Sequence, residues 1–554
     1  MITHRPCLLP QIRSVESTKN LTRLERCQVR NRTGALLLLI FFACATAATL
    51  KASDWYVEPN AQGSNNGTSW SNAWAGDAIN WSSVQPGDTV WLAGGSYGRI
   101  NTITASGTAS APVTIMRATS DDTVPVASPG WSASFDSQAV LAAGFNPING
   151  DYIVIDGHEW TPPGLPTTYG ILINNAASPS NSAMNIGLYM ANASNITARN
   201  IEIAGPPSGS TGTGYNITQY ETDGVALGDN CLVSGCKIHD MDTPVKTYAS
   251  HSTIEYTTIY NVSSYIQVVY GDYPHPDSIY CGGGTDLTVR YCVMANIVSE
   301  GNFFDQGGQT NMLFYGNLFF QGDTATNGCD AVEIKTQLSG VTWGTFNFFN
   351  NTWVDWSKNA VFADQPAASA VSSSSVMQNN LFVNCNNSFD NLSYPFVVTQ
   401  YNGYCNAQKS IGAADTHPIT ANTIPFVGPY FKGTAPATTQ EAIPTGYDPT
   451  QYIPNFYLAA NSWPIAAGSD LGAPYDVDMN GNSIGATLGA FAPSGAATAP
   501  TAPTAPTAPT APTAPTPPTS TPPTSTPPTT AANPTPTPAP TPTPTTSHRR
   551  FRHH

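Results

Sequence analysis

The chain has 554 residues, of which 40% are hydrophobic and only 10% charged, with a formal charge of −15. An average soluble domain carries about 25% charged residues, so helices with salt-bridged surfaces are excluded and Asn, Ser, Thr and Gly must supply the polar surface of strands and turns. Between Ala52 and Gly495 ten basic residues face thirty-four acidic ones, a net of −24, which argues against nucleic acid as a partner because phosphate recognition needs clustered Lys and Arg.

Residues 1–51 read as an export leader. Arg30 and Arg32 precede the apolar run 34–48 (GALLLLIFFACATAA), which is short for a membrane span and ends in small residues suited to cleavage. Residues 1–28 exceed what a leader needs, so Val29 is a candidate true start; an uncleaved anchor is the alternative. Phe41 and Phe42 fit poorly with lipidation of Cys44. The protein is therefore expected to be secreted, extracellular or held at the cell surface.

Residues 52–495 are the expected folded domain. Short strand-like phrases recur in it: 195–203 (NITARNIEI), 230–238 (NCLVSGCKI), 251–259 (HSTIEYTTI), 285–294 (TDLTVRYCVM), 310–320 (TNMLFYGNLFF), 345–354 (TFNFFNNTWV) and 376–383 (VMQNNLFV). Aligning them puts Asn200, Cys236, Thr258, Cys292, Asn317, Asn351 and Asn380 in one column, at intervals of 36, 22, 34, 25, 34 and 29 residues. A floor near 22 with variable excess fits a coil of three short strands with one connection of variable length. The alternative is a β-sandwich, whose strands need not repeat a phrase. The column is expected at a turn, where stacked Asn side chains hydrogen-bond along the axis. Seven cysteines follow the leader (Cys231, Cys236, Cys281, Cys292, Cys329, Cys385 and Cys405), with no C-x-x-C pair, so buried stacked thiols are expected rather than a zinc site.

Residues 496–554 are Thr-Ala-Pro, Thr-Pro and Pro-Pro-Thr-Ser units with a basic end at Arg549, Arg550 and Arg552. Proline at this density favours extended polyproline II without a core, so a disordered stalk is expected, with attachment to a wall or surface as its use.

The phrases 55–60 (WYVEPN), 66–70 (NGTSW), 84–90 (VQPGDTV) and 93–97 (AGGSY) resemble the opening segment of secreted right-handed parallel β-helix proteins of the pectate-lyase-like superfamily. Residues 151–157 (DYIVIDG) look like an early coil of that superfamily, and 466–468 (AAG), 476–481 (DVDMNG) and 488–491 (LGAF) like its closing segment. The resemblance spans about residues 54–492. It implies an all-β, right-handed, single-stranded parallel β-helix capped by the Trp-rich segment from Trp55 to Trp91, and lyase, hydrolase, epimerase or binding activity on polysaccharides. The Arg-x-Pro-x-x-Arg of pectate lyases, the Asp-Asp, Gly-His-Gly and Arg-Ile-Lys of polygalacturonases and the Asp-Pro-His-Asp of alginate epimerases are missing, so no catalytic residue carries over by motif.

A second recurring strand places candidates by geometry: 224–227 (GVAL), 244–247 (PVKT), 278–281 (SIYC), 303–306 (FFDQ), 331–335 (AVEIK) and 360–364 (AVFAD). Side chains alternate faces along a strand. With Val225, Val245, Ile279, Phe304, Val332 and Val361 inward, the outward row is Ala226, Lys246, Tyr280, Asp305, Glu333 and Phe362. The next outward row is Gly228, Tyr248, Gly282, Gly307, Lys335 and Asp364. Strands about 4.8 Å apart then gather Lys246, Tyr280, Asp305, Glu333 and Lys335 into one patch, walled by a loop that ends at His275 and Asp277. A solvated ion-pair face is the plain alternative, and a one-residue slip in register would send these charges inward.

Two chemistries suit such a patch. In a lyase, Lys246 or Lys335 removes the proton beside a uronate carboxylate while Ca²⁺, held by the hard oxygens of Asp305, Glu333 and Asp277, stabilises the carbanion. In a hydrolase, Glu333 and Asp305 act as the carboxylate pair. Tyr280, His275 and Phe362 are the expected sugar contacts in either case. The strongly negative domain tips the balance to a calcium-assisted lyase on an acidic polysaccharide; a non-catalytic glycan-binding or adhesion solenoid is the third class. A monomer is expected. The segment from Asp476 to Gly481 has half of a calcium loop but reads as a closing turn, and His239 with Asp240 and Asp242 reads as a polar turn.

Overall fold

The computed structural model describes residues 52–174, 185–205, 222–262, 276–297, 301–320, 330–335, 341–356, 358–363, 374–389, 398–406, 415–428 and 448–495. The expected leader, the Thr/Pro stalk, His275, Cys329 and Asp364 lie outside the described residues. No helix among them is long and apolar enough to cross a membrane.

Each strand phrase pairs in parallel with its counterpart on the next coil. Among the described residues this builds three all-parallel sheets: a first of twelve strands from Asp54–Val57 to Val398–Gln400, a second of twelve from Gly95–Tyr97 to Ile419–Ala421, and a third of eight from Asn185–Tyr189 to Asn387–Phe389. The architecture is the expected parallel β-helix and not a sandwich. Its interior is a continuous apolar stack, for example Val90, Ile115, Ile155, Ala198, Val233, Ile254, Val289, Phe314 and Phe348 along the first sheet, all fully buried. Phe319, Trp353, Phe382 and Tyr404 stack ring on ring along the second, with centroids 5.1, 4.9 and 5.5 Å apart.

The turn between the first and second sheets carries the polar column. Asn317, Asn351, Asn380 and Asn402 stack on successive coils, each side-chain amide donating to the next Asn oxygen at 2.9, 3.1 and 3.0 Å; Asn402 finishes on Asp415 at 3.0 Å. Each also donates to a backbone carbonyl, as Asn351 does to Phe314 at 3.0 Å. This pays the buried amides in full. Cys292, Thr257 and Cys236 continue the column, since the Cys292 amide donates to Asn317 and the Cys236 amide to the Thr257 hydroxyl. Two expected members are one residue off. Thr257 replaces Thr258, and Ile201, beside Cys236, replaces Asn200. Asn200 instead takes the left-handed turn position before it, at φ 54°, in series with Gly235 at 58° and Tyr256 at 47°; Asn tolerates that conformation better than most residues. The six described cysteines (Cys231, Cys236, Cys281, Cys292, Cys385 and Cys405) are buried free thiols.

The first coil is closed by the Trp-rich segment, as expected. Backbone groups of edge strand Asp54–Val57 pair with Gly67 and Trp74 instead of standing open, which removes a template for further strand addition. Trp55 stacks on Trp74 at 4.8 Å, and the Trp70 indole donates to the Pro125 carbonyl at 2.7 Å. The closing segment 448–495 runs back along the outside. Asn379 donates to Ser469 at 2.6 Å, Asn350 to Thr487 at 2.9 Å and Tyr291 to Pro474 at 2.9 Å; the Gly164 amide donates to Met479 at 2.8 Å. An ionic knot pins its start. Lys237 Nζ lies 3.1 Å from Asp448 and 3.3 Å from Glu202, while His239 bridges Glu202 at 3.1 Å and Asp240 at 2.7 Å. His239, expected in a polar turn with Asp240 and Asp242, lies instead in the strand Lys237–Met241, takes part in this knot and stacks on Tyr260 at 4.9 Å.

Candidate functional site

Cations gather on the exterior of the third sheet. Its inward column is Val225, Val245, Ile279, Asn302, Val332 and Val361, and its outward row is Ala226, Lys246, Tyr280, Phe303, Glu333 and Phe362. Five of the six expected outward residues hold that row. The exception is Asp305, whose place between Tyr280 and Glu333 belongs to Phe303. That strand, Asn302–Phe304, begins earlier than its apolar pattern suggests. A Cβ at Gly301 would lie 2.1 Å from the Ala331 carbonyl oxygen, so glycine fits the tight position before it. Asn302 then points inward, its amide donating to the Ala331 carbonyl at 3.1 Å. Phe304 is inward too, but two residues on, level with Cys281 and Ile334.

Asp305 consequently falls at the strand end, where its amide donates to the Cys281 carbonyl. It joins the second outward row, level with Lys335, where Gly307 was expected. It remains on the outer face, because the Tyr280 hydroxyl donates to its Oδ2 at 3.3 Å. The patch thus assembles with Asp305 and Glu333 on neighbouring strands and offset by one step.

The charges on this face are matched locally. Lys335 Nζ lies 3.5 Å from Glu333 Oε1, with the Glu333 side chain nearly buried and that of Lys335 about a third exposed. Lys246 Nζ stands 5.6 Å from the centre of the Tyr280 ring, whose negative face attracts it. Burial first, and then the neighbouring Tyr248 and Asp305, raise the Tyr280 phenol well above its usual range, so it stays protonated. The Gln306 amide donates to the Tyr280 oxygen at 3.2 Å. Sequence reasoning missed Lys358, which stands just ahead of its strand phrase: its ammonium contacts Asp330 at 2.6 Å and lies 5.3 Å from the Phe362 ring centre. Burial raises the Asp330 pKa even beside that lysine. Lys246, Lys335 and Lys358 are three of the ten Lys and Arg between Ala52 and Gly495, all on one face.

The donor set expected for calcium does not assemble among the described residues. Asp277 is buried two residues before its strand, Ile279–Cys281. Glu333 already faces an ammonium, and Asp305 accepts from Tyr280. Calcium takes six to eight oxygens, yet no three His, Cys, Asp or Glu side chains converge among the described residues. Among the described residues, these side chains do not complete a donor set that fits the ion.

A family model described as a right handed beta helix region matches residues 169–342. The chain carries a right-handed β-helix. No curated protein matches it. Among solved structures it is similar to the pectate lyase Pel9A, at 17% identity over 79% of this chain and 96% of that one, with a TM-score of 0.39. An alginate lyase from Paenibacillus sp. str. FPU-7 is 16% identical over 56% of this chain and 90% of that one, with a TM-score of 0.35. A PL6 family polysaccharide lyase from Pseudopedobacter saltans is 12% identical over 66% and 94%, also with a TM-score of 0.35.

Proposed function

We propose that the exterior of the third sheet binds an acidic polysaccharide outside the cell and cleaves it by β-elimination, without a metal step. The observation that carries this reading is the gathering of Lys246, Lys335 and Lys358 on one aromatic-bearing face of an otherwise acidic domain. Lys246, through its neutral amine, takes the proton from C5 of a uronate. That electron pair becomes the C4–C5 double bond, the C4–O4 bond breaks, and Tyr280, one strand away, protonates the departing oxygen. The Gln306 amide, which donates to the Tyr280 oxygen, steadies the phenolate left when that proton is given up. Lys335 and Lys358, farther along the sheet, hold carboxylates of neighbouring units.

One observation favours a second reading. Glu333 stands in its row between Phe303 and Phe362, as a carboxylate flanked by sugar-stacking rings would in a hydrolase, with Asp305 as its companion. The deciding experiment incubates the protein with pectate, alginate and neutral glycans, with and without a calcium chelator. New ultraviolet absorbance from an unsaturated product, insensitive to chelator, is the expected result. Reducing ends without that absorbance mean hydrolysis, absorbance abolished by chelator restores the metal, and retention without any product means a binding module.

A further inference from the structure

Tyr248 is among the few large apolar side chains that the described surface leaves open, at 47% exposed. It is nonetheless held. Its ring lies over Gly282 of the next coil: a Cβ added there would be 2.2 Å from one ring carbon of Tyr248 and 2.8 and 2.9 Å from two others. The same ring meets Tyr280 edge to face, with centroids 6.1 Å apart. A missing side chain on one strand thus seats an exposed aromatic from the neighbouring strand, next to the phenol that contacts Asp305.

We infer that Tyr248, seated on Gly282, is a stacking platform for one pyranose unit of the polysaccharide. The inference rests on the function proposed above and adds a residue to it. The apolar face of a sugar ring covers an aromatic ring as another ring would, and Tyr offers such area at little entropic cost. Gly282 acts only by leaving room.

The test compares wild type with Tyr248→Ala, Tyr248→Phe and Gly282→Ala, by calorimetric titration with uronan oligosaccharides and by KM and kcat on the polymer. Tyr248→Ala should weaken binding and raise KM about tenfold, with kcat little changed. Tyr248→Phe keeps the ring and should recover the lost affinity. Gly282→Ala should reproduce the Tyr248→Ala defect while its thermal unfolding stays at the wild-type temperature, because the exposed ring swings away at small cost. Wild-type affinity in Tyr248→Ala, with the polymer still cleaved, overturns the platform and leaves the proposed function standing. A Gly282→Ala protein that binds normally overturns the seating. If the wild type neither binds nor cleaves any uronan or neutral glycan, the proposed function falls and the platform falls with it.

Discussion

Glu333 and Lys335 stand two residues apart on the exterior face of the third sheet, the nearly buried carboxylate oxygen 3.5 Å from the ammonium. This pairing separates the two chemistries. If Glu333 only positions Lys335 for a substrate carboxylate, Glu333→Gln raises KM and leaves kcat close to wild type. If it is the hydrolytic acid, the same change cuts kcat by about 10²-fold or more. Steady-state kinetics on the cleaved polymer check this.

Lys246→Ala should lose about 10²-fold or more in turnover while the polymer still binds, since proton abstraction is then left to water. The wild-type rate should hold or rise through the alkaline range. Tyr280, raised by burial, keeps its proton over that range. A rate profile that falls above neutrality contradicts this pair of roles.

Asn351→Ala is expected to destabilise the domain by about 3 kcal/mol. It leaves the buried amides of Asn317, both backbone and side chain, without the acceptor at 3.2 and 2.9 Å. Urea unfolding of the variant checks the magnitude.

The knot at Lys237 gives the docking of the closing segment a pH window. The His239 pKa is raised: burial opposes the charged form, but hydrogen bonds to Asp240 and Glu202 outweigh it. Its contribution is therefore full below the unfolded pKa and is lost as pH rises through the folded one. Glu202 and Asp448 are lowered, since their contacts with His239, Thr450 and Lys237 outweigh burial. Their contributions are present above the unfolded values and vanish as pH falls through the folded ones. Resistance to urea should peak at mildly acidic pH, and His239→Gln should remove the decline on the neutral side.

Burial pushes the thiols of Cys236, Cys281, Cys292 and Cys385 up to about 12. Thiolate is the reactive form, so an alkylating agent should leave these four unmodified in the folded protein and label them after unfolding. Peptide mass spectrometry reads the difference.

The fold was legible because three parallel strands per coil force a phrase to recur, and Asn at the turn marks the repeat. The rows of the third sheet followed from alternation alone, so Lys246, Tyr280, Glu333 and Phe362 were found without a motif. Asp305 was misplaced by two residues because Asn302, a polar residue, occupies an interior position that the apolar pattern assigns to Phe304. Asn200 was misplaced by one because a polar residue marks the left-handed turn position while the column position after it is Ile201, and Thr258 because Thr257 beside it carries the same side chain. Lys358 was invisible because it lies ahead of its strand, where a pattern of alternation has not yet begun. The seat of Tyr248 had no trace in the sequence beyond a glycine among several.

A solenoid whose coils touch only their neighbours can fray from either end, one rung at a time. Here the Met479 carbonyl reaches the amide of Gly164, more than three hundred residues back along the chain, and the ties at Tyr291, Asn350 and Asn379 fall between. Peeling the last coils means tearing this seam along much of the domain. Melting should therefore be abrupt and all-or-none over these coils, and ribosomes must deliver the final turn before the earlier ones gain their full protection from proteases.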